Sequence, residues 1–304
     1  MITDSDFFSA GGTNAWKLID ENHPLKLYVG KDDKGQCALE YVGVFRINKN
    51  LRSSRLIEVN HYSISSREIS LTLSLTDDSC LKQFCSFCND IVESTFKLSR
   101  NSQKGYEAIC SLYFIWQTMF KSVNYIQSEK EIKGLIGELL FLKGFMIPSF
   151  GVSVAISSWT GSESSKKDFS VGNTWYEIKA ISYGKPTVEI SSLEQLESSV
   201  EGQLIVFQLE KMAPDYYGIS LNKLISEILS QISSMSDKES FLEKLGKTGF
   251  KFSDLYDEYV YDLKERTSYN VDKEFPKIIR KDVNKAIAKV KYEIILSDIN
   301  NYKL

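Results

Sequence analysis

Histidine is nearly absent from this chain, with only His23 and His61 among 304 residues. Zinc hydrolases with paired histidine ligands, nucleases that bind metal through histidine, and most Ser–His hydrolases need more histidine than this. His23 precedes Pro24 in a loop-like segment, and His61 sits in a strand-like one. Both are interpreted as structural residues, so the sequence argues against histidine-based catalysis.

Cysteine and long apolar runs are also scarce. Five cysteines in 304 residues do not form a disulfide framework. The closely spaced Cys80, Cys85 and Cys88 fall in a helical, Phe-containing run, where cysteines are usually small buried groups rather than metal ligands. The apolar run 135–142 contains Glu138 and is too short to cross a bilayer. The N-terminus lacks a basic segment followed by an apolar one, so we expect a cytoplasmic protein with no membrane partner.

Neither sign of charge dominates: 37 Lys and Arg oppose 40 Asp and Glu, for a net charge of −3. The chain therefore has no overall field that attracts nucleic acid, although a local basic cleft is compatible with this balance. A hydrophobic content of 42% and a charged content of 25% are ordinary for a soluble globular protein. The length favours two domains, with one large domain as the alternative.

The periodicity of apolar residues changes along the chain. Alternating patterns predict strands at 25–29, 38–42, 56–62 and 69–75, and helical spacing follows at 80–98 and 106–120. A third helix is predicted from Ser128, where Glu131 completes a capping box, with Gly144 near its end. Beyond it, strands are expected at 153–156, 187–190, 204–207, 259–272 and 287–296, and a helix at 221–233. We therefore predict a β-rich domain over 1–125, with two helices, and an α/β domain over 126–304.

One segment combines a turn signal with charged residues at a fixed spacing. Gly172-Asn173 is a two-residue turn sequence flanked by residues that favour strands. The predicted pairs are Val171–Thr174, Ser170–Trp175, Phe169–Tyr176 and Asp168–Glu177. Glu177 and Lys179 then share one face of a strand, while Ile178 points into a core on the other. Because like charges directly opposite destabilise a sheet, the acid pair predicts a neutralising divalent cation.

Asp168, Glu177 and Lys179 form the pattern D-x8-E-x-K. Two carboxylates and a backbone carbonyl suit Mg²⁺, a hard ion that retains several waters. Lys179 beside such an ion would orient or deprotonate an attacking water, or stabilise charge on phosphorus. The alternative interpretation is an exposed strand on which Lys179 forms salt bridges with the two acids.

This arrangement resembles the active site of the PD-(D/E)XK nucleases, which share the restriction-endonuclease-like fold. In that family the Asp lies on the second core strand, the Glu-x-Lys on the third, and an acid often on the preceding helix. Here that acid is Glu138, and Lys167 replaces the Pro that usually precedes the Asp. The resemblance implies an α+β or α/β core of helix, mixed sheet with the catalytic hairpin, and helix, after an N-terminal β-rich region.

The resemblance also implies roles for the matching residues. Asp168 and Glu177 would bind Mg²⁺ or Mn²⁺ with the Ile178 carbonyl as third ligand. Lys179 would position or activate water, and Glu138 would complete or tune the metal site. Apart from the resemblance, Lys166 and Lys167 flank Asp168 and Lys185 follows the third strand, so these lysines are expected to contact phosphates near the metal. The alternative is that they are surface lysines without a function.

For Glu138 a second interpretation stays open, in which it lies on the solvated stripe of its helix. Gly134 and Gly137 favour the functional interpretation, since they would let this side of the helix approach a sheet closely. Each glycine costs about 1 kcal/mol of helix stability relative to alanine.

By size and layout, the chain also resembles an uncharacterised bacterial PD-(D/E)XK family whose members tend to be found near restriction, methylation or phage-defence genes. The implied function is a Mg²⁺-dependent DNA endonuclease in restriction or phage defence, acting as a homodimer or with other subunits of a defence system. The alternatives are a nuclease of the same fold in repair, recombination or RNA processing, and a non-catalytic scaffold or DNA-binding subunit. The N-terminal region, which carries no transferable motif, is expected to serve specificity or partner binding.

Overall fold

The computed structural model of the chain describes residues 2–9, 11–48, 50–98, 102–119, 127–160, 167–251 and 253–304. The chain divides into two units, Met1–Ile126 with Phe250–Asp254, and Gln127–Gly249 with Leu255–Leu304. The predicted domain boundary at 125–126 and the predicted helix end at 120 lie outside the described residues. Within the described ranges, every helix is too short or too polar to cross a membrane.

The first unit is built on a five-stranded antiparallel sheet with the order β1-β2-β3-β5-β4. Its strands are β1 (Ala15–Leu18), β2 (Lys26–Lys31), β3 (Cys37–Gly43), β4 (Ile57–Ser63) and β5 (Ile69–Leu75). Its helices are α1 (Asp4–Ser9), α2 (Leu81–Phe96) and α3 (Ser102–Met119).

Alternate residues of strand β5 show what each face of this sheet carries. Its buried leucines are Leu71, Leu73 and Leu75. Tyr41 pairs with Leu71, and its hydroxyl donates to the carbonyl of Ser102 in α3 at 2.8 Å, so this face packs on the helices. Alternate residues of a strand point to opposite faces. The other face therefore carries Ser70, Thr72 and Ser74.

The second unit contains a four-stranded mixed sheet with the order β10-β9-β7-β6, in which β7 and β9 are parallel and the other pairs antiparallel. Its strands are β6 (Phe169–Val171), β7 (Thr174–Ser182), β9 (Gly202–Met212) and β10 (Val260–Val271). A two-stranded sheet joins β8 (Thr187–Ile190) to β11 (Tyr292–Ile295). The helices are α4 (Glu129–Phe141), α5 (Ile147–Phe150), α6 (Val152–Ser158), α7 (Leu221–Gln231) and α8 (Met235–Lys247).

Helix α4 begins where the capping box predicted. The Ser128 hydroxyl accepts from the Glu131 backbone N–H at 3.4 Å, and the Glu131 carboxylate accepts from the Ser128 backbone N–H at 2.8 Å. The helix then widens into a π-helical turn over Leu142–Met146 before α5. Gly144 therefore lies inside a continuing helical segment, and the helix end predicted there is wrong.

Strand β7 is covered on both faces. On one face Trp175 and Ile181 belong to a hydrophobic core with β8, β9, β10 and β11. On the other face α4 packs closely, with the ring centroids of Phe141 and Tyr176 5.0 Å apart. Ile178 lies on this α4 face, as predicted, and is buried. Glu177 and Lys179 alternate with Ile178, so they share the face of Trp175.

Two predicted strands are wrong in whole or in part. The segment 153–156 belongs to helix α6, which follows Gly151 and packs against α8. The β-branched residues of this short segment suggested a strand, and tertiary packing overrides so weak a preference. Of the predicted strand 287–296, only Tyr292–Ile295 pairs, with β8. The structure also adds α1, β1 and α8, which the pattern did not predict.

The two glycines of α4 differ in their surroundings, and this gives a matched pair of variants. A Cβ at Gly137 would lie 2.9 Å from the Cβ of Ala180, whereas one at Gly134 would meet nothing within 4 Å. We expect Gly137→Ala to lower the free energy of unfolding by about 1–2 kcal/mol, since overpacking outweighs the gain in helix propensity. Gly134→Ala should raise it by up to about 1 kcal/mol. Urea unfolding of both variants checks this, and equal stabilisation by both would contradict the close approach.

Candidate functional site

The hairpin of β6 and β7 has the predicted register. The ladder pairs are Phe169–Tyr176, Ser170–Trp175 and Val171–Thr174, with Gly172 at a positive φ of 56°. The ladder ends there, so the fourth predicted pair, Asp168–Glu177, is not part of it, and a hydrogen bond from a side chain joins the two strands instead. The Asp168 Oδ2 atom accepts from the Ile178 backbone N–H at 2.7 Å. This bond fixes Asp168 beside β7, since the carboxylate replaces a strand carbonyl as acceptor.

Beside this hairpin lies a cavity of about 560 Å³ in the second unit. The four side chains that the sequence singled out for catalysis all line it: Glu138, Asp168, Glu177 and Lys179. Helix α4 supplies Glu138, and β7 supplies Glu177 and Lys179. The structure thus brings together groups separated by up to 41 positions in the sequence (138 to 179).

Glu177 and Lys179 form a close ion pair within this cavity. The distance from Glu177 Oε1 to Lys179 Nζ is 2.9 Å, and the side chains are 2% and 15% exposed. The direction of approach does not satisfy hydrogen-bond geometry, so the buried Oε1 lacks a hydrogen bond. The alternative interpretation was an exposed strand with salt-bridged acids. The ion pair exists, but the strand is not exposed, because core residues cover this face of β7.

Glu138 is held by a tryptophan that the sequence did not single out. The indole Nε1 of Trp159 donates to Glu138 Oε2 at 2.7 Å. Trp159 is itself fixed by Lys244, whose Nζ donates to the Trp159 carbonyl at 2.7 Å. Glu138 is half-buried and lines the cavity, so it is not on a solvated stripe of its helix.

Burial and mutual repulsion raise the pKa values of the acids of the site. Burial, then the nearby Asp168, raise the pKa of Glu177 to about 8, although Lys179 opposes this. Burial, together with the charges of Asp168 and Glu177, raises the pKa of Glu138 well above its usual range. Burial also raises the pKa of Asp168, against the opposing effects of Lys179 and the Ile178 N–H. Three carboxyl groups with raised pKa values in one cavity make it a candidate functional site.

Residues 9–297 match the model of a family described as "Putative PD-(D/E)XK family member, (DUF4420)". The chain belongs to this family. Neither a search of curated proteins nor a search of solved structures found a match. The mixed sheet flanked by helices, with the hairpin at one end of its strand order, agrees with the nuclease-like fold of PD-(D/E)XK proteins. The predictions of family and fold class are thereby confirmed.

PD-(D/E)XK nucleases usually use divalent metals, and the donor set of this cavity can be tested for one. The Glu177 Oε1 atom is buried without a hydrogen bond, and Asp168 commits one carboxylate oxygen, Oδ2, to the hairpin. Among the described residues no group of three or more His, Cys, Asp or Glu side chains is placed to hold a metal. Two carboxylates nevertheless suit Mg²⁺, which is commonly bound by one or two and keeps several waters. The residues present therefore fit a hard divalent ion.

The three lysines predicted to contact phosphates have different surroundings. Lys166 lies outside the described residues. Lys167 Nζ donates to the Gln195 carbonyl at 2.7 Å and lies 3.6 Å from the centre of the Trp175 ring, so protein groups already hold it. Burial lowers the pKa of Lys167 to about 8. Lys185 lines the cavity and is 41% exposed, with its Nζ 3.6 Å from Glu293.

Sequence reasoning missed two residues of this site. A buried tryptophan needs a partner for its indole N–H. The sequence could therefore have indicated that Trp159 has a hydrogen-bond acceptor, but not that the acceptor is Glu138. Lys133 lines the cavity from α4, and its Nζ donates to the Ser182 hydroxyl at 2.9 Å. Lys133 lies five residues before Glu138 on the same helix, and this spacing could have indicated that it is near the site.

Proposed function

We propose that this protein is a Mg²⁺-dependent endonuclease that hydrolyses phosphodiester bonds of DNA. The observation that carries the proposal is the convergence of Glu138, Asp168, Glu177 and Lys179 on one cavity. Membership of the PD-(D/E)XK family supports it. Four lysines among the cavity residues suit a phosphate backbone: Lys130, Lys133, Lys179 and Lys185.

In the proposed reaction, the oxygen of a water attacks phosphorus and the bond from phosphorus to a sugar oxygen breaks. The water gives up a proton, and the sugar oxygen takes one up from solvent and leaves as a hydroxyl group. Asp168 and Glu177 would hold the metal, with the Ile178 carbonyl as third protein ligand. When bound, the ion would stabilise charge on the phosphate and lower the pKa of a bound water. Lys179 orients the attacking water and stabilises the charge that develops on phosphate oxygen.

Glu138 has a separate task in this proposal. Its Oε2 is already engaged by Trp159, so the other oxygen tunes the metal site or accepts a proton from water. Asp168 accepts from the Ile178 N–H through Oδ2 and lines the cavity, so its other carboxylate oxygen remains for the metal. A carboxylate held this way loses little conformational freedom when metal binds.

The proposed setting is cytoplasmic restriction of foreign DNA or phage defence. The resemblance to an uncharacterised bacterial family, whose members tend to be found near restriction, methylation or phage-defence genes, supports this setting. Cleavage of both DNA strands needs two active sites, so we propose that the protein works as a homodimer or with another subunit of a defence system. The first unit is proposed to serve specificity or partner binding.

Cleavage by purified full-length protein tests the proposal. We expect supercoiled plasmid to be cut in Mg²⁺ or Mn²⁺ and left intact in EDTA, with an RNA of matched sequence resistant. Asp168→Asn should abolish cutting while keeping an acceptor for the Ile178 N–H. Asp215→Asn, an exposed change in the loop after β9, is the matched control and should cut normally. Intact plasmid with both metals, or equal cutting by the Asp168 variant, would overturn the proposal.

A further inference from the structure

The first unit contains a second cavity, of about 290 Å³, on the hydroxyl-bearing face of its sheet. The residues that matter for its chemistry are Trp16, Asp32, Asp33, Glu40, Tyr62 and Ser74. None of the proposed nuclease residues belongs to this unit, so a ligand bound here would not depend on the proposed function.

The register of the sheet explains why there is space here. Trp16 pairs with Gly30, Gly30 with Ala38, and Ala38 with Ser74. Cross-strand partners point to the same face, so two of the smallest residues stand between Trp16 and Ser74. Gly30 cannot be larger, since a Cβ there would lie 1.9 Å from the Ala15 carbonyl oxygen. The hollow is therefore built into the strand pairing rather than left by a loop.

The lining of this cavity is rich in hydrogen-bond acceptors. Glu40 is half-buried and uses one oxygen, Oε1, to accept from the Ser70 hydroxyl at 2.5 Å. Asp32 is 6% exposed, and its Oδ1 accepts from two backbone N–H groups of its own turn. None of the described residues that line the cavity is Lys or Arg. The adjacent Lys34 is turned to Glu58, with Nζ 2.7 Å from Oε1.

Ser74 supplies a second, independent indication of a ligand. Ser74 is 0% exposed, and its hydroxyl oxygen is buried with no hydrogen-bond partner. A buried polar group without a partner costs about 1–3 kcal/mol. Ser74 lines the cavity on the same sheet face as Glu40, so a ligand donor that reaches this oxygen after a small shift of the wall would satisfy it.

We propose that this cavity binds a guanidinium group. A guanidinium carries five N–H donors in a plane that suits carboxylates, and its flat face stacks on aromatic rings. The acids Glu40 and Asp33 match its charge, and the rings of Trp16 and Tyr62 match its faces. A metal ion would make no use of these two rings. The source is either a free guanidino compound or an arginine side chain of a protein, and the two differ only in what is attached.

Calorimetric titration of the full-length protein distinguishes these sources. The probes are methylguanidinium, as the free cation, and N-acetyl-L-arginine amide, as the side chain in a peptide-like setting. N-acetyl-L-citrulline amide is the uncharged control with nearly the same shape. Saturable binding of either guanidinium probe, with at least about tenfold weaker binding of the citrulline compound, supports the proposal. Binding of the arginine amide without methylguanidinium assigns the group to a protein side chain.

Variants locate the binding and separate it from folding. Glu40→Gln should weaken binding about tenfold or more, whereas Glu107→Gln, the same charge change on the exposed side of α3, should leave it unchanged. Ser74→Ala should weaken binding while the thermal midpoint stays equal or rises, because the buried hydroxyl has no partner to lose. No saturable binding, or equal affinity in the Glu40 and Glu107 variants, would overturn the proposal.

Discussion

Lys179→Met should reduce DNA cleavage about 10²–10⁴-fold, the range for removal of a positioned catalytic group. Methionine retains most of the length and apolar contact of the lysine stem, and Lys179 is only 15% exposed. What is lost is the ammonium 2.9 Å from Glu177 Oε1. Single-turnover cleavage with plasmid at saturating protein is the measurement, since it reports the chemical step rather than binding.

Lys185→Met is the matched control for this prediction. Lys185 lines the same cavity and carries the same charge, but its side chain is 41% exposed and its Nζ lies 3.6 Å from Glu293. We expect its loss to weaken DNA binding modestly and to leave the single-turnover rate within about tenfold of the wild type. If the Lys179 variant lost no more activity than the Lys185 variant, Lys179 would act only as a phosphate contact.

The stability of the metal-free protein should fall as pH rises from about 4.5 to about 8. Glu177 has an ordinary pKa of 4.5, which burial and Asp168 raise to about 8 in the folded state. In this window the folded state binds the proton that the unfolded state has released. The stabilisation is therefore full below about 4.5 and is lost as pH rises through about 8. The shift corresponds to at most about 5 kcal/mol.

Glu177→Gln isolates this contribution, because a glutamine has no proton to lose. In EDTA at pH 8.5 the variant should unfold at higher urea than the wild type, and the two should converge near pH 4.5. Glu239→Gln, an exposed change on α8, should follow the wild-type curve throughout. Added Mg²⁺ should stabilise the wild type at pH 8.5 more than the Glu177 variant. If the stability of the wild type and that of Glu177→Gln changed with pH in parallel, folding would not raise the pKa of Glu177.

The hairpin could be predicted from the sequence because its determinants are local. The Gly172-Asn173 turn and the strand preferences beside it fix the register, and register alone places Glu177 and Lys179 on one face. The burial of that face could not be predicted, since it depends on β8 and β11, which follow later in the chain. The motif does not predict the hydrogen bond from the Ile178 N–H to Asp168, which replaces the last ladder pair.

The support of Glu138 shows where local patterns stop being sufficient. Its helix was predictable from the Ser128 capping box, whereas its proposed role came only from resemblance. Trp159 reaches Glu138 because α6 is a helix that packs on α8, and the sequence suggested a strand for the first and nothing for the second. Lys244 lies 85 residues from the carbonyl that it binds, a distance at which periodicity carries no information. Such long-range contacts are set by packing rather than by propensity.

The proposed metal site is formed by Asp168 and Glu177, beside Lys179. Anomalous diffraction from crystals soaked in Mn²⁺ tests it most directly. We expect one Mn²⁺ peak in contact with the carboxylates of Asp168 and Glu177, and its loss in crystals of Asp168→Asn. A wild-type crystal with no peak at these carboxylates, or a peak that persists unchanged in the variant, would show that the ion is not bound as proposed.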